Sequence, residues 1–284
     1  ILSSCMNSPE INGSTNIRTS SGIVQGALKN GIVFWEDIPY AAPPVGDLRW
    51  KAPRALISPE SLIETKEGNG CLQEASIYAG IQGDGIVGQE DCLYLDIQAP
   101  IHNLNNRLPV MFWIHGGGNT SGVKDYYNFS EFIKKQQVIV VTINYRLGPM
   151  GWFTHPAIQG LQSGLDKTSN FGTLDIIQAL RWVQNNIASF GGNSDNVTIF
   201  GESAGGHNVL SLLSSPISNG LFHKAISQSG YTTTYTLEEA YGVDSNGETI
   251  NQLGSDIVLS QNDLSGYGSI KQLYAEDPLE YGEE

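Results

Sequence analysis

Runs of apolar residues alternate with helical patterns through the middle of the chain. The continuous apolar runs at 108–114, 138–143 and 197–200 are typical of strands buried on both faces. Between 171 and 190 apolar residues recur at helical spacing, and a Gly–Gly pair follows as a helix stop. Strands and helices that alternate in this way predict an α/β fold, with a mostly parallel twisted sheet and helices on both faces.

The ends of the chain differ from this middle part. Residues 17–35 alternate between apolar and polar around an Asn-Gly turn, which predicts a β-hairpin at the start of the folded body. The polar residues before this hairpin, up to residue 16, predict a flexible tether. Residues 231–284 hold eleven Asp or Glu against one Lys, which predicts a solvated acidic segment leading into the rest of the domain.

The segment 201–206, Gly-Glu-Ser-Ala-Gly-Gly, joins the apolar run at 197–200 to a helical pattern. A Gly-x-Ser-x-Gly segment between a strand and a helix indicates a nucleophile elbow, with Ser203 on a sharp turn. The spacing alone is weak evidence in a chain with 33 glycines, and an ordinary Gly/Ser turn is the alternative.

A second glycine motif supports the elbow. His115 and three glycines at 116–118 directly follow the buried strand predicted at 108–114. Acyl transfer needs backbone N–H groups for the developing oxyanion, and in this kind of fold a Gly-rich loop after an earlier strand supplies some of them. A merely flexible loop would not need to follow a core strand.

Further motifs occur in a characteristic order along the chain. They lie at 38–50, 90–95, 115–118, 144–146, 175, 190–192, 201–206 and 228–230. Together they resemble the type B carboxylesterases, the cholinesterase-like branch of the α/β-hydrolase superfamily. The resemblance covers residues 17–230 and implies an α/β-hydrolase fold whose C-terminal part lies outside this chain.

The resemblance also implies roles for single residues. Ser203 would be the nucleophile, and the N–H groups of Gly117, Gly118 and Ala204 would bind the oxyanion. Glu202 matches an acidic residue that the family places beside the substrate pocket. No metal and no organic cofactor is implied.

Three structural pairs follow from the same resemblance. They are a Cys71–Cys92 disulfide and the ion pairs Arg49–Glu90 and Arg146–Asp175. Closing the disulfide loop would stabilise the fold by about 3 kcal/mol. This loop holds no tryptophan, which the cholinesterases use to bind quaternary ammonium groups, so choline esters are not expected as preferred substrates.

The histidines do not complete a catalytic triad. The family order is serine, acid, histidine, yet only His207 and His223 follow Ser203. His207 falls in the first turn of the elbow helix and His223 in a surface turn. We therefore expect the chain to be the N-terminal half of a longer esterase, without triad acid or base and inactive alone.

Two other functions are compatible with the sequence. The first is a non-catalytic binding or adhesion module on the same fold, although such modules lose the nucleophile and Ser203 is retained here. The second is a complete enzyme with an improvised base. The main expectation is a carboxylic ester hydrolase that acts on a small-molecule ester through a serine acyl-enzyme.

Charge and cysteines restrict partners and location. A formal net charge of −14 disfavours nucleic acids and basic membrane contacts. Residues 1–5 resemble the end of a bacterial lipoprotein signal peptide, which predicts a lipid anchor at Cys5 and an extracytoplasmic location; a free cysteine near the terminus is the alternative. The glycines at 83–88 match a dinucleotide fingerprint only formally, because no helix pattern follows them.

Overall fold

The structure is a computed structural model that describes residues 15–65, 69–101, 106–154, 156–232 and 234. The predicted tether with Cys5, the acidic segment and two histidines, His102 and His155, lie almost entirely outside these residues. Within them, no helix is long and apolar enough to cross a membrane.

The chain begins with two hairpins where the sequence predicts one. Their strands are β1 (Asn16–Thr19), β2 (Gly22–Gln25), β3 (Ala27–Lys29) and β4 (Ile32–Pro39). The predicted Asn30-Gly31 turn joins β3 to β4. The first turn was missed because it depends on one side chain: the Thr19 hydroxyl accepts hydrogen bonds from the backbone N–H groups of Ser21 and Gly22.

In the remaining described elements, strands and α-helices alternate only from Leu108 onward. The strands are β5 (Gln73–Ser76), β6 (Ile81–Val87), β7 (Tyr94–Pro100), β8 (Leu108–Ile114), β9 (Ile139–Ile143), β10 (Gly192–Glu202) and β11 (Lys224–Gln228). The helices are α1 (Ser130–Gln136), α2 (Gly148–Gly151), α3 (Pro156–Gly160), α4 (Phe171–Asn186) and α5 (Ala204–Ser214).

In the described part of the chain the main sheet has the strand order β11-β10-β8-β9-β7-β4-β3. The first four of these strands run parallel to one another, and β7, β4 and β3 add an antiparallel edge. Helices cover both faces. Val33 and Trp35 pack into the large core that contains α4 and α5, whereas Ile32 packs against Ile133 of α1 on the opposite face. The predicted α/β architecture is confirmed.

The disulfide loop contains regular structure that the sequence did not reveal. Cys71 and Cys92 are bonded, with their Cα atoms 4.9 Å apart, which confirms that pairing. Between them β5 and β6 form a separate antiparallel pair. The residues 83–88 fall in and directly after β6, without the helix that a dinucleotide site needs.

The register of the sheet brings the two glycine motifs together. β8 and β10 are parallel neighbours, and Ile114 at the end of β8 pairs with Gly201 near the end of β10. The loop after β8 and the turn after β10 therefore leave the sheet side by side at its carboxyl edge, where α/β folds bind ligands.

Candidate active site

Ser203 lies between the last residue of β10 and the first residue of α5, as the elbow hypothesis requires. Its backbone has φ 55° and ψ −121°, a sparsely populated combination for a residue with a side chain. Two hydrogen bonds hold this conformation: Ser203 N–H donates to the Gln228 carbonyl at 2.9 Å, and His207 N–H donates to the Ser203 carbonyl at 2.9 Å. The hydroxyl-bearing carbon is thus fixed on a strained, well-supported turn.

The flanking glycines are dictated by close backbone contacts. A Cβ on Gly205 would lie 2.1 Å from the Ile114 carbonyl oxygen, and one on Gly201 would lie 2.6 Å from the Gly205 carbonyl carbon. No side chain could be accommodated without moving β8, β10 or α5 apart. The Gly-x-Ser-x-Gly spacing therefore has a physical cause in this fold.

The loop at 115–118 lies against the elbow. A Cβ on Gly116 would lie 3.3 Å from the Cβ of Ser203. Gly117 and Gly118 have φ values of 104° and 66°, which favour glycine strongly. The loop thus approaches the predicted nucleophile at Gly116, directly before the two predicted donor glycines.

The orientation of this loop is set by one carbonyl group. The Gly117 carbonyl accepts hydrogen bonds from the N–H groups of Thr120 at 3.1 Å and Ser121 at 3.0 Å. In a trans peptide the N–H of Gly118 points the opposite way, out of this turn. No group in the described residues accepts a hydrogen bond from the N–H of Gly117 or Gly118. These donors are available for an incoming oxygen.

Ala204 supplies a third donor of the same kind. It is buried and opens α5, where first-turn N–H groups have no partner within the helix. The helix dipole adds a partial positive charge at this end. The donors of the loop and of α5 thus suit an oxygen that gains negative charge.

Glu202 and Tyr127 lie beside this arrangement. The Glu202 side chain is exposed, and its Oε2 would lie 3.2 Å from a Cβ on Gly116. Burial, together with the nearby Glu202 carboxylate, raises the pKa of Tyr127, while contact with the Gly116 N–H opposes this shift. Sequence reasoning missed Tyr127, since it lies in an irregular segment with no motif.

The histidines among the described residues hydrogen-bond backbone groups and not the Ser203 hydroxyl. His207 Nδ1 lies 2.6 Å from the Tyr231 carbonyl oxygen, and His223 Nδ1 accepts the Val197 N–H at 3.2 Å. His115 is buried, which lowers its pKa to about 4. Among the described residues none hydrogen-bonds the Ser203 hydroxyl, so none of these histidines is placed as its base.

Comparison with known proteins decides the family. The model of the carboxylesterase family matches residues 13–262, which is most of the chain and includes the start of the acidic segment. The chain belongs to the carboxylesterase family. The expected type B carboxylesterase resemblance is thereby confirmed.

The curated proteins that the chain resembles include two named as esterases. The chain is 42% identical over 227 residues to a para-nitrobenzyl esterase of Bacillus subtilis, a match that covers 79% of this chain and 45% of that protein. It is also 42% identical over 217 residues to a fumonisin B1 esterase of Sphingopyxis macrogoltabida, covering 74% of this chain and 39% of that protein. The chain thus spans less than half the length of these curated relatives.

Solved structures confirm the α/β-hydrolase fold of the chain. A thermophilic para-nitrobenzyl esterase superposes with a TM-score of 0.80 at 36% identity, covering 94% of this chain and 52% of that one. A carboxylesterase of Geobacillus stearothermophilus superposes with a TM-score of 0.78 at 34% identity, with the same coverage.

The two predicted ion pairs form as buried, bidentate contacts. Arg49 donates to the Glu90 carboxylate at 2.5 and 2.8 Å. Arg146, which follows β9, donates to Asp175 in α4 at 2.8 and 2.7 Å. Burial raises the pKa of Asp175, and the guanidinium opposes that shift. Since both arginines are buried in the core, we interpret these pairs as structural.

The described residues were also compared with the side-chain clusters that bind metal ions. No group of three or more His, Cys, Asp or Glu side chains among these residues could hold a metal ion. The residues that meet at the carboxyl edge of the sheet are instead a serine, backbone donors and one carboxylate.

Proposed function

We propose that the protein hydrolyses carboxylic esters through an acyl-enzyme on Ser203. The observation that carries this proposal is the strained Ser203 beside a loop whose Gly117 and Gly118 N–H groups have no acceptor in the described residues. An oxyanion hole of this kind is worth about 10²–10³ in rate for each donor.

In the proposed reaction the Ser203 oxygen attacks the ester carbonyl while its proton passes to a base. The carbonyl oxygen becomes an oxyanion that accepts hydrogen bonds from Gly117, Gly118 and Ala204. The C–O bond to the alcohol then breaks, and the alcohol leaves with the proton from the base. Water attacks the acyl-enzyme in the same way and releases the acid.

We propose that a Glu–His pair outside these 284 residues is the activating acid and base. Among the described residues, His115, His207 and His223 each hydrogen-bond a backbone group, and none of them hydrogen-bonds the Ser203 hydroxyl. The relatives, of which the chain spans less than half, support the proposal. Residues 1–284 alone should then hydrolyse esters far more slowly than the full-length protein.

The Cys71–Cys92 disulfide provides an argument about the cellular compartment of the protein. Disulfides form and persist in oxidising compartments, so the Cys71–Cys92 bond supports a proposed extracytoplasmic location. A lipid anchor at Cys5 remains a prediction. Metabolic labelling with a fatty acid, compared between the protein and its Cys5→Ser variant, tests it, and equal labelling would contradict it.

The proposed function is tested with para-nitrophenyl acetate as substrate. The full-length protein should release para-nitrophenol, and Ser203→Ala should lower kcat on the order of 10⁴-fold or more. Equal rates for the protein and the variant would overturn the assignment of Ser203. Turnover by residues 1–284 that Ser203→Ala abolishes would instead show that the base lies within this chain. If the full-length protein neither turns over nor reacts covalently, a binding module is the better description.

A further inference from the structure

The proposed oxyanion donors come from two separate elements. Gly117 and Gly118 lie in the loop after β8, whereas Ala204 begins α5. Donors of this kind must be held to within about 0.5 Å of their productive positions. The loop is itself rich in glycine and therefore needs support from its neighbours.

One amide lies between these two elements. Asn208 is on α5, one turn after Ala204, and is only 1% exposed. Its Nδ2 donates to Oδ1 of Asn119 at 2.9 Å. Asn119 directly follows Gly118 and has φ 60°, a conformation that asparagine tolerates well. The far end of the glycine segment is thus bonded to the elbow helix.

The near end is held by a tyrosine. The Tyr145 hydroxyl donates to the His115 carbonyl at 2.7 Å, and its ring stacks on His115 with the centroids 4.4 Å apart. The glycine segment is thus fixed at its two ends by different residues, Tyr145 at the near end and Asn208 at the far end.

We propose that Asn208 is a positioning residue that holds the far end of the 116–118 segment in register with α5, and hence with Ser203 and Ala204. The inference rests on the proposed function above. A buried amide is costly unless its hydrogen bonds are made. At this buried position an apolar residue would fill space at lower cost, so the bond to Asn119 accounts for an asparagine.

The expected effect is on the chemical step. Deleting an oxyanion donor costs about 10²–10³ in kcat, and displacing a reacting group by about 1 Å can cost about 10²-fold. Loss of the Asn208 contacts displaces donors without deleting them. We expect kcat to fall about 10–100-fold with KM within about twofold, because ground-state binding does not use the oxyanion contacts.

The experiment is a double-mutant cycle in the full-length protein with Asn208→Ala, Asn119→Gly and both together. Glycine adopts the positive φ of Asn119 without strain. The probes are kcat and KM for para-nitrophenyl acetate and the inhibition constant of a trifluoromethyl ketone, which forms a tetrahedral oxyanion on the serine. Ser214→Ala is the matched control, because its hydroxyl lies on the exposed face of α5 and bonds only the Leu210 carbonyl.

In both single variants, kcat and the affinity for the ketone should fall in parallel. The kcat of the double variant should be close to that of the less active single variant. Ser214→Ala should have the same kcat and ketone affinity as the parent protein. Unchanged kcat in the single variants, a multiplicative double variant, or a rise in KM alone would overturn the proposal. If Asn208→Ala does not fold, Asn119→Gly in the partly exposed loop decides the question. Failure of the proposed function is distinct: the parent protein itself would then show no turnover.

Discussion

Lys124 lies in the segment that follows the glycine loop, and its ammonium group is buried among carboxylates. The side chain is 1% exposed and contacts Asp37 at 2.8 Å, Asp96 at 2.9 Å and Asp125 at 2.7 Å. Asp37 and Asp96 are themselves largely buried, whereas the Asp125 side chain is 54% exposed. Lys124 therefore compensates two charges that water cannot reach.

The variant Lys124→Met keeps the length of the side chain and removes its charge. Removing one member of a buried ion pair leaves an uncompensated charge and costs about 3–5 kcal/mol of unfolding free energy. We expect a loss of this size. Asp125→Asn is the matched control, since removing the exposed partner should cost about 1 kcal/mol or less.

The loss should also depend on pH. Burial raises the pKa of Asp96, and Lys124 opposes that shift, so the shift grows when Lys124 is removed. In the variant, folded Asp96 then keeps a proton that the unfolded chain releases. Stability falls with rising pH wherever the unfolded state binds fewer protons. The deficit of Lys124→Met should therefore be larger at pH 8 than at pH 5.

Urea unfolding of the protein and both variants at these two pH values measures the effect. A loss for Lys124→Met no greater than that for Asp125→Asn would refute this reasoning. A deficit that shrinks as the pH rises would refute the electrostatic part of it.

Three further outcomes follow from the packing. Gly205→Ala should lower kcat by at least about 10²-fold, because its Cβ would lie 2.1 Å from the Ile114 carbonyl oxygen; an active variant in the para-nitrophenyl acetate assay would contradict this. Asp175→Asn should lower the free energy of unfolding in urea by about 3–5 kcal/mol, because it leaves the buried Arg146 without its ion pair. Asp166→Asn, in a more exposed pair, should lower it by about 1 kcal/mol or less. Equal losses for the two variants would contradict this reasoning. Reducing the disulfide, whose cysteines are 21 positions apart, should cost about 3 kcal/mol in the same assay, and an unchanged midpoint with reductant would be inconsistent with this.

The sequence predicted the structure correctly where a local pattern of apolar residues reflects burial in the fold. The apolar run at 108–114 became β8 with the predicted bounds, because both faces of that strand are covered. The sequence also indicated that Ser203 and the 115–118 loop belong to one site. This was possible because close backbone contacts require glycine beside Ser203 and within the loop.

Other features depend on contacts that no local pattern encodes. β6 is exposed along most of its length, so it lacks an apolar period. Lys124 was not singled out, since nothing near it in the sequence reveals Asp37 and Asp96. The Asn119–Asn208 bond joins residues 89 positions apart and depends on the register of β8 and β10.

We propose Ser203 as the nucleophile of an ester hydrolase. The most direct test is to react the full-length protein with a fluorophosphonate, digest it and locate the adduct by mass spectrometry. We expect one stoichiometric adduct on the peptide containing Ser203, and none after Ser203→Ala. The absence of an adduct, or an adduct on a different residue, would contradict this proposal.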